Sequence, residues 1–321
     1  METPATLRDA IIYFADFEHC RQYMVRLRWA DGVITCPRCG ATKVTWLAKQ
    51  RVWKCYAKHE RPTFTLKTGT IFEDSPIPLE KWLTAAWLII SCKNGVSSYE
   101  IHRSLGVTQK SAWFMLHRIR LAMREGGFNK IGGPDKEVEA DETFVGGKAK
   151  NMHRRSKRLQ EISQGGKGKT IVLGLLERDG RVKAAVAPSR HRHFVQSNIA
   201  ANVEVGSKVY TDEFGSYDRM PSHYTQEVIN HLHSYVEGRV HTNGIENFWS
   251  LLKRTLSGTY VSVDPVHLQA YTDEQCFRFN TREMTDAERF TTVMRQIVDR
   301  RLTYNELIGK TPFEVIAEMR P

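Results

Sequence analysis

The sequence predicts a multidomain α/β protein in which a small metal-binding ribbon and a helical pair precede a larger α/β domain. Three observations support this prediction: four soft metal ligands near the N-terminus, a helical segment interrupted by a glycine turn, and a later change to strand periodicity. The 321 residues suffice for two or three domains, and the hydrophobic fraction of 41% suffices for proper cores.

The metal-binding ribbon is predicted from the spacing of cysteines. Two residues separate Cys36 from Cys39, and Cys55 and His59 follow after a 15-residue gap. A turn of this kind supplies two thiolates, and a neighbouring hairpin supplies the second pair of ligands for a tetrahedral Zn²⁺. Because the gap contains a glycine turn and two short alternating segments, it predicts that hairpin. We expect a zinc ribbon with one structural Zn²⁺; ordinary buried thiols beside a surface histidine are the alternative.

The distribution of charge indicates a polyanionic partner. The net charge is +11, and the isoelectric point is about 9.4. Residues 1–130 contain 20 Lys and Arg against 11 Asp and Glu, whereas residues 131–321 contain 27 against 25. The basic excess therefore lies mostly with the ribbon and the segment that follows it. A generic solubilising charge is the alternative, but it would not need this asymmetry.

Other features predict a cytoplasmic protein without a membrane partner. Asp9 and Asp16 interrupt the N-terminal segment, so a signal peptide is not expected. The longest apolar run, residues 85–90, is far shorter than a bilayer requires. The cysteines outside the ribbon lie in apolar, helix-like segments and are expected to be buried and reduced: Cys20, Cys92 and Cys276.

A helix-turn-helix is predicted between residues 97 and 124. Two helical segments flank a glycine turn at residues 106–108, and Thr108 can cap the second helix. The second helix has one apolar stripe, which leaves basic residues for a surface that can enter a major groove. A helical hairpin used for packing is the alternative. The candidate DNA-binding residues on this helix are Lys110, Arg118 and Arg120.

Beyond a glycine-rich linker, the pattern changes to strands. Alternation predicts a first strand over residues 137–145, followed by a second and a third strand joined in a hairpin. The third strand is followed by a helix, a fourth strand that ends at Asp212, a fifth strand and a helix over residues 243–256. This is the element order of a ribonuclease H-like domain.

A basic loop separates the first two of these strands. Residues 146–169 contain eight Lys and Arg and a single acid, Glu161. We interpret the loop as a phosphate clamp, with Arg154 and Arg155 as candidate DNA-binding residues; a solvated run of charge is the alternative.

Three acidic residues are expected to converge in such a domain. Asp141 lies on the first strand, Asp212 ends the fourth, and Glu246 lies on the late helix. Carboxylates suit Mg²⁺, and two such ions about 4 Å apart can activate an attacking oxygen and stabilise a leaving oxygen. Glu246 and Lys253 share the polar face of the helix, where Lys253 can hold DNA backbone. In the alternative interpretation, Asn243 caps the helix and Glu246 reaches back to it.

Four segments resemble bacterial insertion-sequence transposases of the Merlin-related DDE group, and the resemblance extends over residues 10–285. They are the ribbon residues 55–59 and the segments 67–72, 140–143 and 241–249. The resemblance implies a ribonuclease H-like catalytic core that needs two Mg²⁺, with Mn²⁺ as a substitute. It also implies that the N-terminal region recognises the terminal inverted repeats of the element.

The resemblance further implies roles for individual residues. Asp141 and Asp212 match the two aspartates of the group, and Glu246 matches its third acid, with Lys253 seven residues later. Because part of the group uses asparagine as the third ligand, Asn243 remains an alternative to Glu246. A later helical pattern of the group is matched by Glu274 and Arg278, which equally suit a surface ion pair.

The expected function is therefore that of a DNA transposase. Water attack would free a 3′-hydroxyl at the end of the element, and that hydroxyl would attack target DNA within an assembly of several copies of the chain. The alternatives are a transposase-derived DNA-binding regulator without catalysis and a two-metal DNA nuclease. The predicted domains are residues 1–75 (helix and zinc ribbon), 76–130 (helix-turn-helix), 131–285 (catalytic domain) and 286–321 (helical tail).

Overall fold

The computed structural model describes residues 4–125, 129–146, 169–212, 224–229 and 241–310. The chain forms two compact units. We call residues 1–123 with 284–321 the terminal unit, and residues 124–283 the central unit. The central unit lies close to the limits expected for the catalytic domain, whereas the other three expected domains fall largely within the terminal unit.

The terminal unit begins with two helices, α1 (Leu7–Phe14) and α2 (Phe17–Arg28). A single helical segment was expected here, and the break has a local cause. The carboxylate of Asp16 accepts hydrogen bonds from the backbone N–H groups of Glu18 and His19, at 2.7 and 3.0 Å. Because this carboxylate satisfies the free donors of a helix start, the chain begins a new helix at this point.

The predicted ribbon hairpin is confirmed. It consists of β1 (Val44–Leu47) and β2 (Val52–Cys55), extended by the short β3 (Thr63–Phe64) into an antiparallel three-stranded sheet. Trp53 is buried, and its ring stacks on that of Phe64 with centroids 5.8 Å apart. This aromatic pair gives the small sheet a core of its own.

Three helices follow the ribbon: α3 (Leu79–Ser91), α4 (Ser98–Leu105) and α5 (Gln109–Met123). Between α4 and α5, Gly106 adopts a left-handed conformation with φ 58°. The hydroxyl of Thr108 accepts a hydrogen bond from the backbone N–H of Ser111 at 3.1 Å, as the predicted cap requires. The three-residue turn therefore lies where the sequence predicts it.

The core of the central unit is a five-stranded sheet. Its strands are β5 (Glu137–Val145), β6 (Thr170–Glu177), β7 (Val182–Ala187), β9 (Lys208–Asp212) and β10 (Thr225–Ile229). The spatial order is β10-β9-β5-β6-β7; β5, β6 and β7 are antiparallel, whereas β9 and β10 run parallel to β5. Two further short strands, β4 (Ile131–Gly132) and β8 (Val203–Glu204), form a separate parallel pair.

Helices cover both faces of this sheet. Leu173 and Leu175 of β6 pack with α6 (Arg192–Asn202) on one face. The intervening positions of β6 face α7 (Asn243–Gly258) and α8 (Leu268–Asn280) on the other. Since alternate residues of a strand point to opposite faces, β6 is apolar along nearly its whole length.

The C-terminal segment returns to the terminal unit. It forms α9 (Asp286–Arg295) and the short α10 (Tyr304–Leu307). Phe290 is buried, with ring centroids 5.6 Å from Phe14, 5.7 Å from Tyr23 and 4.9 Å from Trp87. This helix is therefore a core element and not a tail.

The remaining cysteines agree only partly with the prediction. Cys20 and Cys276 are buried, whereas Cys92 is half-buried. Burial raises the pKa of the Cys20 thiol to about 12, which keeps it protonated at neutral pH. Among the helices that the structure describes, none combines the length and the apolar composition needed to cross a bilayer.

Candidate functional sites

The four predicted zinc ligands converge in the ribbon. The ligand atoms of Cys36, Cys39, Cys55 and His59 lie within 4.8 Å of one another. The sulfurs of Cys39 and Cys55 are 3.7 Å apart, and the Cys36 sulfur is 3.8 Å from Nε2 of His59. A tetrahedral ion with bonds of about 2.3 Å to sulfur separates two sulfurs by roughly 3.8 Å. The donor set and its spacing therefore fit a structural Zn²⁺, as predicted.

Backbone geometry holds the first two of these ligands. Gly40 is left-handed with φ 71°, and its N–H donates to the carbonyl of Cys36 at 2.8 Å, which closes the turn. Burial alone would raise the pKa of the Cys36 thiol, but hydrogen bonds from the backbone N–H groups of Arg38 and Cys39 and from the thiols of Cys39 and Cys55 together lower that pKa. These bonds favour the thiolate, which is the form that binds metal. Four protein ligands leave no open position, so the ion would be structural and not catalytic.

Asp141 lies on β5 against helix α7. Its Oδ2 accepts a hydrogen bond from the indole Nε1 of Trp249 on α7 at 2.9 Å, and its Oδ1 accepts from the backbone N–H of Glu142 at 2.7 Å. The side chain is partly exposed. The structure thus joins the first predicted acid to the helix that bears the third.

Asp212 is the last residue of β9, the strand beside β5. The paired register runs from Glu137 opposite Lys208 to Glu139 opposite Tyr210. Asp141 and Asp212 each lie two residues beyond the last of these pairs, Asp141 in the middle of β5 and Asp212 at the end of β9. The side chain of Asp212 lies outside the described part of the structure.

Glu246 is exposed in the first turn of α7, and its Oε1 accepts a hydrogen bond from the hydroxyl of Thr242 at 3.2 Å. Thr242, and not Asn243, is the residue that precedes the helix; Asn243 is its exposed first residue. The interpretation of Asn243 as the cap was therefore wrong. The predicted division of α7 into two faces is confirmed, since Lys253 is exposed and the apolar positions are buried: Ile245, Phe248, Trp249, Leu252 and Leu256.

A buried acid that sequence analysis missed lies beside this site. Glu139 is 1% exposed, and its Oε2 accepts a hydrogen bond from the backbone N–H of Ile245 at 2.9 Å. Its Oε1 accepts from Nε of Arg178 at 3.0 Å. Glu139 and Asp141 are two residues apart on β5, so both point to the α7 face of the sheet. That spacing was a visible signal, but the partner of Glu139 lies 106 residues away.

The candidate DNA-binding residues fall into three groups. Lys110 and Lys253 are exposed. Arg118 and Arg120 are only 4% and 1% exposed, so their assignment to a DNA-facing surface was wrong. The guanidinium of Arg118 donates instead to the backbone carbonyls of Leu302 and Glu73, at 2.9 and 2.8 Å. The other two candidates lie outside the described residues: Arg154 and Arg155.

The late acidic and basic pair on α8 is buried, so the alternative of a surface pair was wrong. Glu274 is 1% exposed, and its Oε1 lies 2.5 Å from a guanidinium nitrogen of Arg278. The same oxygen accepts a hydrogen bond from the hydroxyl of Tyr260 at 2.6 Å. The pair therefore ties α8 to the segment that follows α7.

Comparison with known proteins agrees with this architecture. Residues 131–280 match the model of the ISXO2-like transposase domain, and residues 16–57 match that of the transposase zinc-ribbon domain. The second match includes the three cysteine ligands and ends two residues before His59.

Two relatives extend the comparison. One is an uncharacterized protein in transposable element ISH50 of Halobacterium salinarum, 29% identical over 257 residues, which cover 76% of this chain and 84% of that protein. The other is an uncharacterized transposase-like protein of Haemophilus influenzae, 31% identical over 119 residues, which cover 37% of this chain and 94% of that protein. These matches define the class as transposases of insertion elements. The chain belongs to the family in which an N-terminal zinc ribbon accompanies an ISXO2-like transposase domain.

Proposed function

We propose that the protein is a DDE-type DNA transposase that binds the terminal inverted repeats of its element, cleaves DNA at the element ends and joins them to target DNA. One observation carries the catalytic part of the proposal. Asp141 contacts the helix that bears Glu246, and the neighbouring strand ends at Asp212. Strand β5, strand β9 and helix α7 would thus bring the three acids together beside the middle of β5.

The sheet supports a ribonuclease H-like assignment for the central unit. Three antiparallel strands come first in the chain, and two parallel strands then extend the sheet on the other side of β5. A helix precedes β9, and another follows β10. Both the element order and the strand order are those expected of that fold.

The described acids fit a hard divalent cation. Asp141 is partly exposed on strand β5, and Glu246 is exposed on helix α7. Oxygen donors of this kind bind Mg²⁺, or Mn²⁺ in its place. A bound pair of such ions would activate the attacking oxygen and stabilise the leaving oxygen. Asp141, Asp212 and Glu246 would hold these ions.

Basic residues and DNA-binding elements outside the acid cluster would hold DNA. Lys253 lies two turns beyond Glu246 on α7, with its ammonium exposed, and would bind a backbone phosphate. In the terminal unit, α4 and α5 would act as a helix-turn-helix with Lys110 at the start of its second helix. With the zinc ribbon they would recognise the element ends, and several copies of the chain would bring two ends together.

A strand-transfer assay tests the proposal. The probe is a DNA fragment bearing both element ends, with Mg²⁺ and a target plasmid. We expect wild type to give joined products, and Asp141→Asn to bind the ends without cleaving them. Asp264→Asn is the matched control, because an amide oxygen can retain the 3.0 Å hydrogen bond that Asp264 accepts from Val266. Binding without cleavage by wild type would favour a regulator, and hydrolysed ends that are never joined would favour a nuclease.

A further inference from the structure

We propose that two hydrogen bonds, one helical turn apart, fix the register of α7 on β5 and thereby set Glu246 against Asp141. Glu139 and Trp249 are then positioning residues of the metal site. This inference rests on the proposed function, because it assigns these residues a role toward the divalent cation held by the acids.

The first anchor is the carboxylate of Glu139. It is buried, and it caps the start of α7 by accepting from the backbone N–H of Ile245, at 2.9 Å. Its other oxygen is engaged by Arg178, which also donates to the backbone carbonyl of His241 at 2.6 Å, just before α7. With both oxygens occupied inside the protein, Glu139 holds the helix and is not a metal ligand.

The second anchor is the indole of Trp249, which donates to Asp141 at 2.9 Å. Ile245 and Trp249 are four residues apart, a rise of about 6 Å along a helix. Glu139 and Asp141 are two residues apart, a rise of about 6.7 Å along a strand. Because these distances nearly match, both bonds form together when α7 lies along β5. Glu246 lies between the two anchored positions of α7.

A glycine makes room at each anchor. Gly174 is paired with Asp141 across β5 and β6, and a Cβ there would lie 2.5 Å from the Trp249 ring. A Cβ on Gly244 would lie 2.5 Å from a methyl carbon of Leu176 and 2.9 Å from the Glu139 carboxylate. All three distances are shorter than a van der Waals contact, so the close approach of α7 requires glycine at both positions.

Metal affinity tests the second anchor. Trp249→Phe retains a ring but removes the N–H donor, whereas Phe248→Leu reduces packing on the same face of α7 and leaves both bonds intact. The measurement is calorimetric titration of the full chain with Mn²⁺, without DNA. We expect Trp249→Phe to weaken Mn²⁺ binding by about 10- to 100-fold, the usual effect of losing a group that orients a ligand. We expect Phe248→Leu to lower the melting temperature with Mn²⁺ affinity unchanged.

A second pair of variants tests the first anchor independently. Glu139→Leu and Glu137→Leu each remove an ion pair with Arg178, since Glu137 lies 3.0 Å from that guanidinium, but only Glu139 also accepts a hydrogen bond from α7. We expect the Glu139 variant to bind Mn²⁺ more weakly and to need more Mg²⁺ for cleavage, and the Glu137 variant to match wild type.

The outcomes separate this inference from the proposed function. Wild-type Mn²⁺ affinity in both Trp249→Phe and Glu139→Leu would overturn the inference, and the proposed function would stand if Asp141→Asn still abolished cleavage. A wild-type protein that neither binds Mn²⁺ nor cleaves element ends would overturn both. If one of these two variants fails to fold, as judged by circular dichroism, the Mn²⁺ affinity of the other variant tests the inference.

Discussion

The ring of Phe290 lies 4.9 Å from the ring of Trp87, which joins the C-terminal segment to the long apolar helix α3. Both side chains are almost fully buried, at 1% exposure each. The terminal unit therefore draws its core from the two ends of the chain.

Replacing Phe290 by alanine should destabilise the protein strongly. Removal of a buried aromatic ring costs about 3–5 kcal/mol, because it loses the transfer free energy and leaves a cavity. Met284→Ala is the control, since Met284 is 40% exposed. Urea unfolding followed by tryptophan fluorescence measures both variants. Equal midpoints for the two would show that the segment is not part of the core.

Gly174→Ala should disturb the α7 face of the sheet. The added methyl group would collide with the Trp249 ring at 2.5 Å, and overpacking of this kind costs about 1–3 kcal/mol. Gly258→Ala, in the last turn of α7, is the control, because its Cβ would meet nothing within 4 Å. Chemical denaturation gives the stability change, and near-ultraviolet circular dichroism reports the tryptophan environment. An unchanged spectrum and stability in Gly174→Ala would contradict the described packing.

Removal of zinc should unfold the ribbon. We expect about one Zn²⁺ per chain, and its loss when Cys55→Ser removes a ligand, because the binding free energy of a structural zinc is also folding free energy. Cys92→Ser is the control, since Cys92 lies outside the cluster. Elemental analysis and limited proteolysis of the N-terminal region provide the measurements. A folded, protease-resistant Cys55→Ser protein without zinc would refute the structural role.

Thr108→Ala should destabilise α5 by about 1 kcal/mol, the usual cost of a lost cap. The hydroxyl of Thr108 accepts from the backbone N–H of Ser111, and Thr108→Ser retains that acceptor. Thermal unfolding should therefore separate the two variants. Equal melting temperatures for Thr108→Ala and Thr108→Ser would show that the cap does not stabilise α5.

Lys110→Ala should weaken binding of element ends and flatten its salt dependence. Each phosphate contact contributes about one to the slope of the logarithm of affinity against the logarithm of salt concentration. Binding titrations at several salt concentrations measure that slope. Lys310→Ala removes an exposed charge elsewhere in the terminal unit and should leave the slope unchanged. A wild-type slope in Lys110→Ala would show that Lys110 does not contact a DNA phosphate.

Sequence patterns predicted the features that depend on local periodicity or spacing. Strand β5 spans the residues for which alternation predicted it, and the four zinc ligands follow from two short spacings. The Arg118 side chain shows where such patterns fail. Its polarity and helical position indicate a surface, but its acceptor on Leu302 lies 184 residues away.

The same limit applies to the candidate catalytic site. The positions of Asp141 and Glu246 were predictable from their elements, because a strand and a helix each present a fixed face. The contact between those two elements could not be predicted, because Trp249 resembles any other apolar residue on the buried face of α7. A hydrogen bond between residues 108 positions apart leaves no periodic trace in the sequence.

The terminal unit consists of two separate stretches of the chain, which determines when it can fold during synthesis. A ribosome releases residues in order from the N-terminus, so Phe14 and Trp87 emerge long before Phe290. The central unit is one continuous stretch and is complete before that aromatic cluster can close. An interrupted translation product that stops before residue 284 thus lacks part of the terminal core, and a fully folded terminal unit occurs only on chains that already contain the acid-bearing unit.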